Sequence, residues 1–549
     1  MLGPGPAADL GASPKRRPEG DPPGGGPAGW PDPGGDRIRR MRSSERRFLS
    51  STFAAYGSQL GRVLIRAASD LALARIILPE AIGLYDLALA FAVIAAIVRD
   101  LGLPYELVRH PERPFGAVLA WEAGAGLVLS AVLALAAPAT AGLDPRLPAV
   151  LAVYAWWVLL DGLAVVPRVY YECELQVGRL VMPEIVRGAT IAAVSIALAA
   201  AGAGVWALVA GQLVGAALFA ALLWRRVWGR IPLRLTRASF AALPSMIGRS
   251  YFLFLIALAA LPLPQVSKLI VGSGLGVAAG AFWTAQYNKA REWGFRLQEL
   301  VMPAVARVLY PALIDYRKHG DRQRYLAAYR MGTLTLLGLQ TLGGYFLAFN
   351  AEVVLVRVLI GPRWAPAVPL VQVLCFAPLA DPLSPLGGEL LKTEGQDRAW
   401  FGVVALNIAS LTFFGILLTR RLGAVGMAWA NYLLLGSLLM TWRVYRILGG
   451  AELGRLARDL LYLYLVPLPL FALVAWWLPA ATWWRLGASV PAAAAALALY
   501  VARFRGPFRD FFAAAAEPAP AAVAASFAGE AAPFPGDPAA AATLPLAEP

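Results

Sequence analysis

Apolar runs of roughly twenty residues follow one another along almost the whole chain, and this serial pattern constrains the fold more than any other feature. A run of about 20 apolar residues matches the ~30 Å hydrocarbon core of a bilayer. We read fourteen, at about 48–76, 81–103, 115–137, 148–168, 181–200, 204–224, 241–267, 276–302, 326–349, 366–388, 399–419, 423–442, 459–479 and 486–503. Each is expected to be a helix, because a bilayer permits only helices or closed barrels, and these runs are far too long for barrel strands. The fold class is therefore all-α and integral to a membrane, with one helical bundle using most of the chain. Composition agrees: 59% of the 549 residues are apolar and the mean hydropathy is +0.60, against about 45–50% apolar in soluble domains.

The net charge is +15, which invites a nucleic-acid partner. The charge is spread over many short loops between apolar runs, the distribution the positive-inside rule produces, so that partner is rejected. Before the first span lie Lys15, Arg16, Arg17, Arg37, Arg39, Arg40, Arg42, Arg46 and Arg47; after the sixth lie Arg225, Arg226, Arg230, Arg234 and Arg237; after the eighth lie Arg307, Arg317, Lys318, Arg322 and Arg324. The opposite loops are nearly bare. Both termini are therefore expected in the cytoplasm. Residues 1–44 hold Pro, Gly and Arg with no apolar core, and with the tail 506–549 they are expected to be disordered.

Catalytic and metal chemistry find little support. Cys173 and Cys375 lie far apart, and His110 and His319 fall in predicted loops. No P-loop, HExxH or GxSxG pattern is present. No metal site, cofactor or enzymatic activity is expected. A membrane polymerase or ligase, the reading from another class, would favour a large external loop, and the predicted external loops are short.

The chain repeats itself weakly. Gly83-Leu-Tyr-Asp-Leu-Ala88 echoes Gly280-Ala-Phe-Trp-Thr-Ala285, and Gly204-Val-Trp-Ala echoes Gly423-Ala-Val-Gly426. These echoes and the large basic loop after span six suggest two six-helix lobes, 45–230 and 238–447, with two added helices at 455–505. Internal repeats are a transporter habit, with substrate held at the repeat interface.

Ionisable residues inside spans cost about 2.5–3.5 kcal/mol each on insertion scales, so they face cavities or partners. Arg62, Arg66 and Asp70 recur at i, i+4, i+8 on one face of the first helix. Arg249 lies in the seventh span, and Lys289, Arg291, Glu292, Arg296 and Glu299 in the eighth. Arg62, Arg66, Arg249, Arg291 and Arg296 are the candidate anion-binding set, because guanidinium offers fixed, bidentate donors to phosphate. The competing reading pairs these charges with one another, although Arg249 has no acidic neighbour on its own helix. Asp70, Glu122 and Asp161 are candidates for binding a driving H+ or Na+, or else partners of neighbouring arginines.

Six ordered stretches carry a family resemblance: Leu73-Ala-Arg-Ile-Ile-Leu-Pro-Glu-Ala-Ile-Gly-Leu-Tyr85, Arg99-Asp-Leu-Gly-Leu103, Gly204-Val-Trp-Ala-Leu-Val-Ala-Gly-Gln-Leu213, Lys268-Leu-Ile-Val-Gly272, Val308-Leu-Tyr-Pro-Ala-Leu313 and Leu359-Ile-Gly-Pro-Arg-Trp-Ala-Pro-Ala-Val-Pro369. Over about residues 50–445 the sequence resembles the polysaccharide-transporter branch of the multidrug/oligosaccharidyl-lipid/polysaccharide flippase superfamily. The resemblance implies a V-shaped, two-lobe bundle that alternates between inward- and outward-open states in a bacterial cytoplasmic membrane. The implied cargo is a polyprenyl-pyrophosphate-linked oligosaccharide moved from the inner to the outer leaflet. Membrane lipids surround it, coupling to H+ or Na+ is open, and polysaccharide polymerase and glycosyltransferases are the implied functional partners. The peptidoglycan lipid II flippases are similar, carrying Arg on the first, second and eighth helices and two extra C-terminal helices. Arg62, Arg66, Arg249, Arg291 and Arg296 match that pattern by helix, not by strict motif. Phe282-Trp283, where the family more usually has a Tyr-containing opening, and the long N-terminal extension are departures.

Overall fold

A computed structural model describes residues 65–516 apart from 66, 110–113, 175, 234, 261–262, 278 and 480–481. Every regular element among the described residues is helical, as a chain without water for its backbone requires. The first half comprises α1 (residues 67–76), α2 (Pro79–Asp100), α3 (Leu103–Arg109), α4 (Phe115–Ala136), α5 (Leu147–Tyr154), α6 (Trp156–Cys173), α7 (Val181–Ala200) and α8 (Val205–Val227). The second comprises α9 (Arg237–Ala260), α10 (Leu263–Gly274), α11 (Gly280–Lys318), α12 (Arg322–Ala351), α13 (Val368–Leu374), α14 (Ala377–Ala380), α15 (Ser384–Thr393), α16 (Asp397–Leu422), α17 (Ala424–Ala430) and α18 (Gly436–Leu448). Three more follow: α19 (Gly450–Leu465), α20 (Pro467–Trp477) and α21 (Trp483–Ala516).

Among the described residues, ten helical segments are long and apolar enough to cross a membrane. They cover ten of the fourteen predicted spans. The first and seventh predicted spans fall partly outside the described residues. The eighth is α11, whose Lys289, Arg291, Glu292, Arg296 and Glu299 interrupt its apolar character. The twelfth is broken at residues 431–435 into α17 and α18. The expected C-terminal tail also begins later than 506, because α21 continues to Ala516; its final Ala513–Ala516 run has the highest helix propensity of any residue type. Residues 1–44 and 517–549 lie outside the described residues.

The internal echo has a backbone counterpart. Gly204 and Gly423 are the N-caps of α8 and α17, with φ/ψ of 56/−124° and 66/−149°. Only glycine enters that region without a Cβ penalty, so α8 and α17 open with the same device.

In the first half α4 lies on α6 and α7 on α8; in the second α10 lies on α16, and α12 packs against the C-terminal α19, α20 and α21. The seam between the halves is α2 against α11. A Cβ built on Gly83 would sit 1.7 Å from the Ala281 carbonyl oxygen, so the backbones meet directly. Membrane helices use small residues for such approaches, because packing rather than the hydrophobic effect drives their association. At the α1 end, Arg75 Nε donates to the Leu359 carbonyl at 2.8 Å and Trp364 Nε1 donates to that of Ala74 at 2.9 Å. Leu359 ends a π-helical turn, Glu352–Leu359, whose last carbonyls lack intrahelical donors.

Candidate functional site

Charges buried between helices form three groups. In the first half, Arg99 near the end of α2 is 1% exposed. Its guanidinium lies 2.9 Å from Glu122 of α4, 3.3 Å from Asp161 of α6 and 2.5 Å from adjacent Asp100. Arg187 of α7 approaches Asp161 from the other side at 3.6 Å. Glu122 and Asp161, candidates for a driving cation, are thus gathered around one arginine. Three carboxylates face two guanidiniums, and burial of an unbalanced charge is costly.

The second group joins the halves. Lys268 of α10 meets Asp86 of α2 at 3.0 Å, both nearly inaccessible. Asn288 of α11 donates to the other Asp86 oxygen at 2.8 Å. One turn on, Glu292 receives Lys289 at 3.0 Å and Arg296 at 3.4 Å. Asp70 of α1 lies close enough to act electrostatically on Lys289.

The third group is a cavity of about 320 Å³ wholly within the second half. Arg291, Phe295, Gln298 and Met302 recur at i, i+4, i+7 and i+11, so one face of α11 lines it. Lys289, Glu292 and Arg296 belong to another face. Arg291 stacks on Phe295, 4.9 Å from the ring centroid, and among the described residues no carboxylate pairs with it. The opposite wall is a broken helix. Pro378, Pro382 and Pro385 divide the tenth predicted span into α13, α14 and α15, since proline removes a donor and clashes with the preceding turn. Irregular backbone at membrane depth is tolerated where it is buried in protein or lines a cavity, and the gap places Asp381 and Ser384 on the cavity wall.

The structure therefore distributes the five predicted arginines. Arg62 and Arg66 lie outside the described residues. Arg249 forms an ion pair with Glu106 of α3 at 2.8 Å, a partner that its own helix did not reveal. Arg296 is held by Glu292 and stacks on Trp293 at 5.8 Å. Of the three described, only Arg291 lines this cavity. Lys268, Trp400 and Asn407 were given no role from the sequence; the three prolines of the tenth span were the available signal, because interrupted spans mark transporter binding sites. No cluster with metal-ligand spacing occurs among the described residues.

Comparison with known proteins places this architecture. No curated protein matches the sequence. By structure, the chain is similar to the lipid II flippase MurJ in its inward closed conformation, with TM-score 0.65 and 11% identity over 83% of this chain and 99% of that one. It is also similar to an inward-facing MATE family transporter of the MOP superfamily, with TM-score 0.55 and 12% identity over 71% and 98%. A Vibrio cholerae MATE transporter gives TM-score 0.51 and 14% identity over 75% and 97%. The sequence profile described as "polysaccharide biosynthesis protein" matches residues 72–369, just over half of the chain. With its serial apolar helices, the chain is a multi-pass membrane protein that belongs to the polysaccharide biosynthesis protein family, and its fold is similar to that of MurJ and the MATE transporters.

Proposed function

We propose that the protein moves a polyprenyl-pyrophosphate-linked oligosaccharide from the inner to the outer leaflet of a bacterial cytoplasmic membrane, by alternating access, for polysaccharide export. One observation carries the reading beyond fold and family: Arg291 is a cavity-lining guanidinium with no carboxylate partner among the described residues. An uncompensated guanidinium inside a membrane protein is costly, and a phosphate group relieves that cost through charge-assisted, bidentate bonds. Arg249 and Arg296 are then reserve cations that exchange Glu106 and Glu292 for the cargo as the halves move, and Arg62 and Arg66 complete the set on the first helix. The excess carboxylate around Arg99 supports Glu122 or Asp161 as the coupling site for H+ or Na+, with Asp70 as the alternative beside Lys289.

The experiment is a flipping assay in proteoliposomes. A fluorescent prenyl-pyrophosphate saccharide should become accessible on the opposite leaflet with the wild-type protein and not with Arg291→Ala. Equal flipping by both would overturn the reading. A second reading, a lipid II-type flippase, is favoured by the match to nearly the whole of MurJ; lipid II in the same assay separates the two.

A further inference from the structure

We propose that the cavity beyond Arg291 is a saccharide subsite, which takes the first sugar of the cargo while Arg291 holds the phosphate at its edge. The inference rests on the transport reading above and names what that site recognises.

Charge balance is the first argument. Besides Arg291 the cavity is lined by Lys392, Asp381 and Glu389, two cations against two carboxylates. Lys392 and Glu389 are already joined at 3.0 Å. A pyrophosphate filling this space would face both carboxylates, and a cationic drug would face Arg291. A neutral polyhydroxyl ligand faces neither penalty: its hydroxyls donate to carboxylate and amide oxygens and accept from guanidinium and ammonium groups.

Unmet hydrogen bonding is the second argument. Asn407 on α16 is 7% exposed, and its Oδ1 has no hydrogen-bond partner among the described residues. Gln298 on α11 likewise carries an unpartnered buried Oε1. A buried acceptor left unmade costs about 1–3 kcal/mol; both residues line the cavity, so turning either amide from its packed position, which for Asn407 is against Gly436, toward a ligand's donors would relieve that cost. Sugar hydroxyls supply them.

Aromatic surface is the third. Trp400 and Phe295 both line the space. The Trp400 ring lies over Gly388, where an added Cβ would come within 3.1 Å of two ring atoms; the glycine makes room for the indole. A flat aromatic with amides and carboxylates around it suits the apolar C–H face and polar rim of a pyranose. The volume, about 320 Å³, is at the small end of about 300–1,000 Å³ for small-molecule sites, enough for a sugar unit and not for a whole oligosaccharide.

The test is equilibrium binding to the full-length protein in nanodiscs. The probes are a short-chain prenyl pyrophosphate and the same lipid carrying a single glucose, galactose or N-acetylglucosamine. The wild type should bind at least one glycosylated probe about tenfold more tightly than the bare lipid, a difference of about 1.4 kcal/mol. Trp400→Ala and Asn407→Leu should each erase that preference and leave affinity for the bare lipid unchanged; Trp400→Phe should retain part of it. Arg291→Gln should weaken both probes together. Should Trp400→Ala fail to fold, the near-isosteric Asn407→Leu decides. Equal wild-type affinity for bare and glycosylated lipids, or a loss on Asn407→Leu that is the same for both, overturns the subsite while leaving the transport reading standing. No binding of any probe by the wild type overturns the transport reading itself.

Discussion

Lys268 Nζ lies 3.0 Å from Asp86 Oδ1, a buried ion pair that ties α10 of the second half to α2 of the first. Removing one partner of such a pair leaves an uncompensated charge and costs about 3–5 kcal/mol, whereas replacing both is close to neutral. Lys268→Met should therefore lower the thermal unfolding midpoint in detergent markedly, because it removes the one ion pair of Asp86 among the described residues and leaves it the bond from Asn288. Adding Asp86→Asn should recover most of the loss.

Arg99 is the hub of the first half, and its neighbours predict an asymmetry. Arg99→Leu leaves Asp100, Glu122 and Asp161 facing one another, with only Arg187 near Asp161. It should destabilise strongly and reduce folded yield. Glu122→Gln keeps the shape and removes one of three negative charges, so size-exclusion profiles should remain monodisperse. If Glu122 carries the coupled ion, that variant should fold yet lose the ion dependence of flipping.

Gly83 sets the distance between α2 and α11. Gly83→Val places a branched Cβ against the Ala281 backbone, which no rotamer avoids, and should cost about 1–3 kcal/mol or more. The expected result is a lower unfolding midpoint and impaired flipping together. Gly124 on α4 has open space around it, so Gly124→Val should be much milder.

At Arg291 the conservative change is informative. Arg291→Lys keeps the charge but loses the planar fork. Flipping rate should fall about tenfold or more, with expression and thermal stability unchanged, since no ion pair is broken. A wild-type rate in the Lys variant would show that only charge matters there.

Topology is open to direct measurement. Reporter fusions after Gly142 and Arg421 should read external, and one after Trp228 cytoplasmic, as the basic loops require. A cytoplasmic reading at Gly142 would reverse the expected orientation.

Much of this architecture was legible one helix at a time. Length and apolarity located ten segments that the structure also makes membrane-length helices, because the bilayer accepts little else. Gly204 and Gly423, which echo one another in the sequence, both take a positive φ at a helix N-cap, a conformation that glycine permits without a Cβ penalty. The helical period also sets Arg291 on a different face from Lys289, Glu292 and Arg296. The period says which residues share a face, but not what that face meets. Arg249 finding Glu106, Lys268 finding Asp86, and Arg99 collecting three carboxylates all depend on how helices far apart in sequence are set side by side. Only the folded bundle fixes those distances, because an ion pair a few ångströms long answers to three-dimensional packing and not to separation along the chain.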